Sequence, residues 1–143
     1  MYVNATRLIQ AERVRVFGFL SDLDNHWQLA DGAISVVSVE PGGGGRVRMR
    51  GPLGVRRTAI TNVDEIDPPR AIAGHARVGA VTRARVTWEL EPSGQGATAV
   101  TLKATVEEAA PLDRLLLAAG GRAWLESRFE RILATLAERF EEQ

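Results

Sequence analysis

From Leu125 onward the apolar residues fall at Leu125, Phe129, Ile132, Leu133, Leu136 and Phe140, with Glu126, Arg128, Glu130, Arg131, Glu138 and Arg139 between them. Spacings of three and four predict a helix with one apolar stripe and one charged face. The segment before it shows no such division, because Leu112, Leu115, Leu116, Leu117, Ala118 and Ala119 surround Arg114. At ~100° per residue, the 112–116–119–123 stripe is out of phase with the 125–129–132–136 stripe by roughly a third of a turn. A break or kink is predicted at Gly120-Gly121, where an unobstructed backbone weakens a helix. The back half of this C-terminal stretch is expected to clamp onto a core. The front half is expected to lie as an apolar lid over something else.

The chain ahead of this stretch changes period twice. Tyr2 to Gln10 is short and β-capable. Ala11 to Leu20 takes helical spacing, with Val14, Phe17 and Leu20 on one face and Glu12, Arg13 and Arg15 toward water. Ser21 is suited to cap a second short helix over Asp22 to Leu29, its hydroxyl accepting a free first-turn amide. The period then becomes two. Strands are predicted over Ala33 to Glu40, Arg46 to Arg50, Val55 to Ile66, Arg70 to Val78, Thr82 to Glu91 and Ala97 to Glu107, with a flexible hairpin across the Gly42 to Gly45 run. Alternation is clearest where Ala84, Val86, Trp88 and Leu90 share one face, and again at Val100, Leu102, Ala104 and Val106. Tight Gly/Pro turns between successive strands indicate antiparallel neighbours with one buried face. The prediction is an α+β domain over residues 1–143, a seven-stranded sheet covered by the long C-terminal helix, with two short helices between the first two strands.

Composition narrows the function. The 18 basic and 18 acidic residues give a net charge of zero, so no net field draws the chain toward nucleic acid or an anionic membrane. The absence of cysteine removes disulfides, thiol catalysis and thiolate metal sites. The N-terminus carries no charged leader followed by an apolar run, and no apolar segment approaches the ~20 residues of a membrane span. A cytoplasmic domain is expected, as monomer or homodimer. No pair of histidines with a carboxylate has usable spacing, and no Gly-x-Ser-x-Gly elbow or phosphate-binding Gly-Lys-Ser/Thr occurs, so neither a metal nor a cofactor is expected.

The order of elements resembles the START-like superfamily, the polyketide cyclase/dehydrase and lipid-transport group with the helix-grip fold. "LIQAERVRVFGFLSDLDNHWQL" is similar to that group's first strand, Val-Phe helix and Leu-Ser-Asp turn followed by tryptophan. "VDEIDPPRAIAG" is similar to its strand–Pro-Pro–strand hairpin, and "WELEPSGQGATAVTL" to its tryptophan strand, glycine turn and final strand. The resemblance spans essentially the whole chain. It implies a curved sheet wrapped around the C-terminal helix, enclosing a cavity for an apolar or amphipathic small molecule. Members include aromatase/cyclases, lipid and hormone binders and chaperone regulators, so the fold alone does not choose a function.

Candidate cavity residues are Trp27, Met49, Trp88, Leu112, Leu116, Gly120 and Trp124. Trp27 suits a gate or a packing anchor, and Met49 a tolerant wall. Trp88 lies on the buried face of its strand, which in a hollow domain also lines the cavity. Two orientations are open for His75 and Arg77. Opposite in parity to Ile72, Gly74, Ala76 and Val78, they face water if the small-residue face is the wall. With a twist or bulge they enter the cavity as an acid/base and enolate-stabilising pair. Asp64, Glu65 and Asp67 read as solvated turn carboxylates, and His26 lacks an orienting partner beyond Asp22 and Asp24. The leading expectation is binding, transport or sequestration of a hydrophobic small molecule such as a lipid or polyketide-like compound. The alternatives are a polyketide aromatase/cyclase or dehydratase and a protein-interaction module.

Overall fold

The computed structural model describes residues 2–22, 25, 34–40, 44–50 and 56–141. Seven strands, β1 (Tyr2–Ile9), β2 (Ile34–Glu40), β3 (Gly44–Arg50), β4 (Arg56–Asp67), β5 (Ala71–Val78), β6 (Thr82–Pro92) and β7 (Thr98–Glu108), form one sheet in the order β1-β7-β6-β5-β4-β3-β2. Every neighbouring pair is antiparallel. A curved sheet gripping a long C-terminal helix is therefore the architecture, as expected. The glycine run contributes to the sheet as well as to a turn, because Gly44 and Gly45 join β3 opposite Glu40 and Val39. Lacking side chains, they still offer full ladder hydrogen bonds.

Between β1 and β2, helix α1 spans Arg13–Leu20. It buries Val16, Phe17 and Leu20 and leaves Val14 69% exposed, so the predicted face is rotated. The 16–20 and 17–20 spacings stack on one side of the helix, which Val14 does not share. The predicted second helix lies largely outside the described residues. Ser21 does not cap forward in the bond the structure describes; its hydroxyl donates back to the Gly18 carbonyl at 3.0 Å and closes α1.

The inner face of the sheet is read from its register. Ala5, Leu102, Trp88 and Ile72 stand opposite one another across β1, β7, β6 and β5. Together with Ile9, Leu90, Val100, α1 and the last helix they make the core cluster. One polar side chain is wholly enclosed there: the Thr98 hydroxyl donates to the Ala11 carbonyl at 2.8 Å, tying the start of β7 to the turn that enters α1. Between β4 and β5 the backbones approach so closely that a Cβ on Gly74 would meet the Asn62 carbonyl oxygen at 2.2 Å. Only glycine fits there.

After β7 the chain forms α2 (Pro111–Leu116), a π-type turn (Leu117–Gly121) and α3 (Arg122–Glu141). The helix does break at the glycine pair: Ala119 has φ −91°, ψ 31° and Gly120 has φ 102°. In α3 the stripe is graded. Leu133, Leu136, Ala137 and Phe140 are buried, whereas Leu125, Phe129 and Ile132 are only half-buried. The sealed end is locked to α1 by an edge-to-face Phe19–Phe140 pair with ring centres 5.8 Å apart. Arg139 lies over Phe19 and Arg15 over Phe140, at 5.3 and 5.6 Å.

Candidate functional site

Burial changes along the inner face. The row Ile72–Trp88–Leu102 is sealed, and so are Leu90 and Val100 below it. One step toward the other end, Gly74 and Val86 are half-buried beside buried Ala104; one step further, Ala76, Ala84 and Val106 are all half-buried, although Ala59 at the start of β4 is buried. The half-buried residues are small and apolar, and they stand on the covered side of the sheet, yet neither α3 nor the sheet closes over them. Beside them Val63 and Thr61 on β4 are also half-buried. The same end of the structure holds the half-buried front of α3, at Leu125 and Phe129. A strip of small, half-buried residues of β4–β7 thus continues the inner face beyond buried Trp88.

The lid segment is anchored beside this strip. Asp113, at the third position of α2, is buried and accepts a hydrogen bond from the Thr82 hydroxyl. That hydroxyl in turn accepts one from the Ala110 backbone amide at 3.1 Å. An acid in a first helical turn also complements the helix dipole. The predicted face of α2 is therefore split: Asp113 turns inward, Leu116 is half-buried, and Leu112 and Leu115 are 56% and 64% exposed. Sequence reading passed over Asp113, whose position two residues after a helix-starting proline was the available signal.

The remaining candidates separate. Gly120 is exposed at the break. Trp124 is half-buried, with the Arg128 guanidinium 5.3 Å over its ring. It lies about two and a half helical turns from Leu133, on the opposite side of α3 from the core seam. Met49 stands in β3 opposite Ile34 and Arg57, its side chain outside the described part, and Trp27 and His26 fall outside the described residues.

His75 and Arg77 alternate with Gly74 and Ala76 and so occupy the outer face, away from Trp88. There His75 is held between two carboxylates. Its Nδ1 meets Asp64 and its Nε2 lies 3.0 Å from Glu107 Oε1. Both acids sit at bulges: Asp64 is the extra residue between Val63 and Glu65 in β4, and Glu107 is the extra residue between Val106 and Glu108 in β7. A bulge swings a side chain out of strict alternation, which is why this cluster was not legible as a spacing. The hydrogen bond to His75 holds the Asp64 carboxyl below the usual carboxylate range, with Asn62 assisting. Nearby on this face Lys103 bonds Glu89 at 2.6 Å, an interaction that raises the Lys103 ammonium above its ordinary value. Among the described residues no group of three His, Cys, Asp or Glu has the arrangement of a metal site.

Comparison with known proteins gives a consistent picture. A protein from Thermus thermophilus has a crystal structure that superposes with a TM-score of 0.76 at 25% identity, over 99% of this chain and 98% of that one. A START superfamily protein from Mycobacterium smegmatis gives 0.71 at 17% identity over 99% and 97% of the two chains. The Zhui aromatase/cyclase from a Streptomyces species gives 0.68 at 20% identity over 99% and 93%. At 17% and 20% identity these last two speak for the fold alone. A search of curated protein sequences found no match. The family model for polyketide cyclase/dehydrase and lipid transport proteins matches residues 2–141, nearly the entire sequence. The chain belongs to that family.

Proposed function

We propose that this protein binds a hydrophobic small molecule, of lipid or polyketide-like character, in a recess between the inner face of β4–β7 and the front of α3. The observation that carries this reading is the loss of burial along the inner face, from the sealed Ile72–Trp88–Leu102 row, through half-buried Gly74 and Val86 beside buried Ala104, to the half-buried Ala76–Ala84–Val106 row. Small apolar side chains left accessible on the covered side of a sheet are what an apolar ligand would bury, and such burial stabilises at roughly 25 cal/mol per Å². Family membership supports the same reading. The outer-face position of His75 and Arg77 gives no support to their acting as an acid/base pair on a ligand held in the recess.

The test has two parts. Native mass spectrometry of the purified protein, with organic extraction, is expected to show a discrete apolar adduct released on denaturation, or uptake of one from an apolar compound library with a rise in Tm. Ala76→Phe and Ala84→Phe are then expected to abolish binding of a fluorescent apolar probe, because each ring occupies the unsealed row, while the variants stay folded. Probe binding unchanged in both folded variants would place the ligand elsewhere and overturn the proposal.

A further inference from the structure

We infer that the end of the molecule carrying α2 is a docking face for an anionic lipid surface. This goes beyond ligand binding and stands without it. The connections put three exposed aliphatic side chains at one place. The Gly79 amide donates to the Thr58 carbonyl, which sets the β5–β6 turn against the start of β4. Thr82, the next residue after that turn, holds α2 through Asp113 and the Ala110 amide. Val81 in the turn is 43% exposed, and Leu112 and Leu115, three apart and therefore on one face of α2, are more exposed still. Scattered aliphatic exposure is ordinary, but a cluster held out on a short anchored helix is not.

Charge identifies the occupant. Arg48, opposite Thr58, Arg77 at the end of β5 and Arg114 on α2 are all exposed at this same end. Among the described residues none of these three makes an ion pair. The acids here are engaged: Glu107 with His75, Glu108 with Arg83 at 3.8 Å, and Asp113 buried against Thr82. At the far end of the sheet exposed Glu12 and Glu91 and the Asp67–Arg70 pair stand with Arg15 and Arg139, whose guanidinium groups lie on Phe140 and Phe19. In a chain with 18 charges of each sign, three arginines free of ion pairs among the described residues thus stand at the same end as the protruding leucines. Aliphatic side chains that enter the acyl boundary, ringed by arginines that meet lipid phosphates, are the requirement for a peripheral membrane contact.

The experiment is co-sedimentation of the full chain with phosphatidylcholine vesicles, with and without phosphatidylglycerol. Binding is expected to the anionic vesicles and to fall with added salt. Leu112→Ser/Leu115→Ser is expected to release the protein, and Arg77→Gln and Arg114→Gln each to weaken partitioning about fivefold. Leu112, Leu115 and Arg77 are exposed, so those variants are expected to melt as the parent does; Arg114→Gln also gives up the bond from Nε to the Ala109 carbonyl at 3.0 Å, and its Tm is compared with the parent's before its partitioning is read. As a readout that needs no variant, vesicles are expected to slow amide exchange over residues 111–121 of the parent protein. The inference is overturned by absence of binding to anionic vesicles at low salt, by binding that is equal on zwitterionic vesicles, or by binding that neither substitution set reduces. It is equally overturned if the leucine substitutions convert a dimer to a monomer while vesicles leave the parent protein unbound, since the face would then belong to a second copy.

Discussion

The most decisive structural test concerns Thr98. Its side chain is fully enclosed, and the carbonyl it serves belongs to Ala11, which is 3% exposed. Among the described hydrogen bonds no other reaches that carbonyl, and both residues are buried. Thr98→Val preserves shape and removes only the O–H. The loss leaves a buried acceptor unsatisfied, at a cost of about 1–3 kcal/mol. The added methyl returns less than about 1 kcal/mol of apolar burial. A net destabilisation of about 1–2 kcal/mol is expected, and for a chain of this length it lowers Tm by about 2–8 °C. Thr98→Ala, which also removes a methyl from a packed site, is expected to fall further. The assay is urea denaturation followed by far-UV circular dichroism, with the slope unchanged and the midpoint lowered. Thr98 stands at the sealed end of the sheet, so apolar probe binding by the folded variant is expected to match the parent. A Thr98→Val midpoint indistinguishable from the parent's would refute the reasoning. It would mean that the Ala11 carbonyl finds another donor or that the turn relaxes to reach water.

Two further predictions follow from local geometry. Gly120→Ala places a side chain at φ 102° with no steric neighbour, so the cost comes from backbone conformation alone, about 1–2 kcal/mol, and is read as a lowered Tm. The Asp64 carboxyl titrates below its unfolded value, so its contribution to stability is complete above the ordinary carboxylate range and is lost as pH falls through the lowered value. The stability gap between the parent and Asp64→Asn is therefore expected to shrink on acidification and, the pair being about a third exposed, to be small and salt-sensitive; a gap that stays constant into acid would remove the His75 contact as its source.

Much of the fold was legible because the patterns were long. Eleven residues of β6 and eleven of β7 alternate with few interruptions, and the stripe of α3 repeats over about four turns, so period and face were fixed by many residues at once. The kink was legible because two stripes disagreed in phase on either side of a glycine pair. Short elements were less so. Helix α1 has eight residues with apolar side chains at 14, 16, 17, 19 and 20, enough for two competing faces, and packing against the sheet chose the one without Val14. The half-buried strip was legible only as a face. Alternation puts Gly74, Ala76, Ala84 and Val86 on the inner side, but which of them the helix leaves unsealed depends on where α3 crosses the sheet. The His75 cluster was hidden by two bulges that shift residue parity, and the grouping of Arg48, Arg77 and Arg114 at one end by a net charge that sums to zero.

The two proposals meet at one end of the sheet, and that coincidence has consequences for how a ligand would travel. The unsealed row, the anchored α2 and the exposed arginines all lie beyond Trp88, whereas Thr98, α1 and the back half of α3 close the other end. An apolar molecule leaving the recess through water exposes its surface at roughly 25 cal/mol for every Å². Leaving from an end seated on lipid avoids that exposure. The division also separates the two tests. Filling the recess with Ala76→Phe is expected to leave vesicle binding intact, since Ala76 contributes nothing to the outer rim. Leu112→Ser/Leu115→Ser is expected to leave probe affinity in solution intact but to slow transfer of probe from protein to vesicle. Transfer as fast in the leucine variant as in the parent would show that ligand release does not pass through the docked state, even if both sites exist.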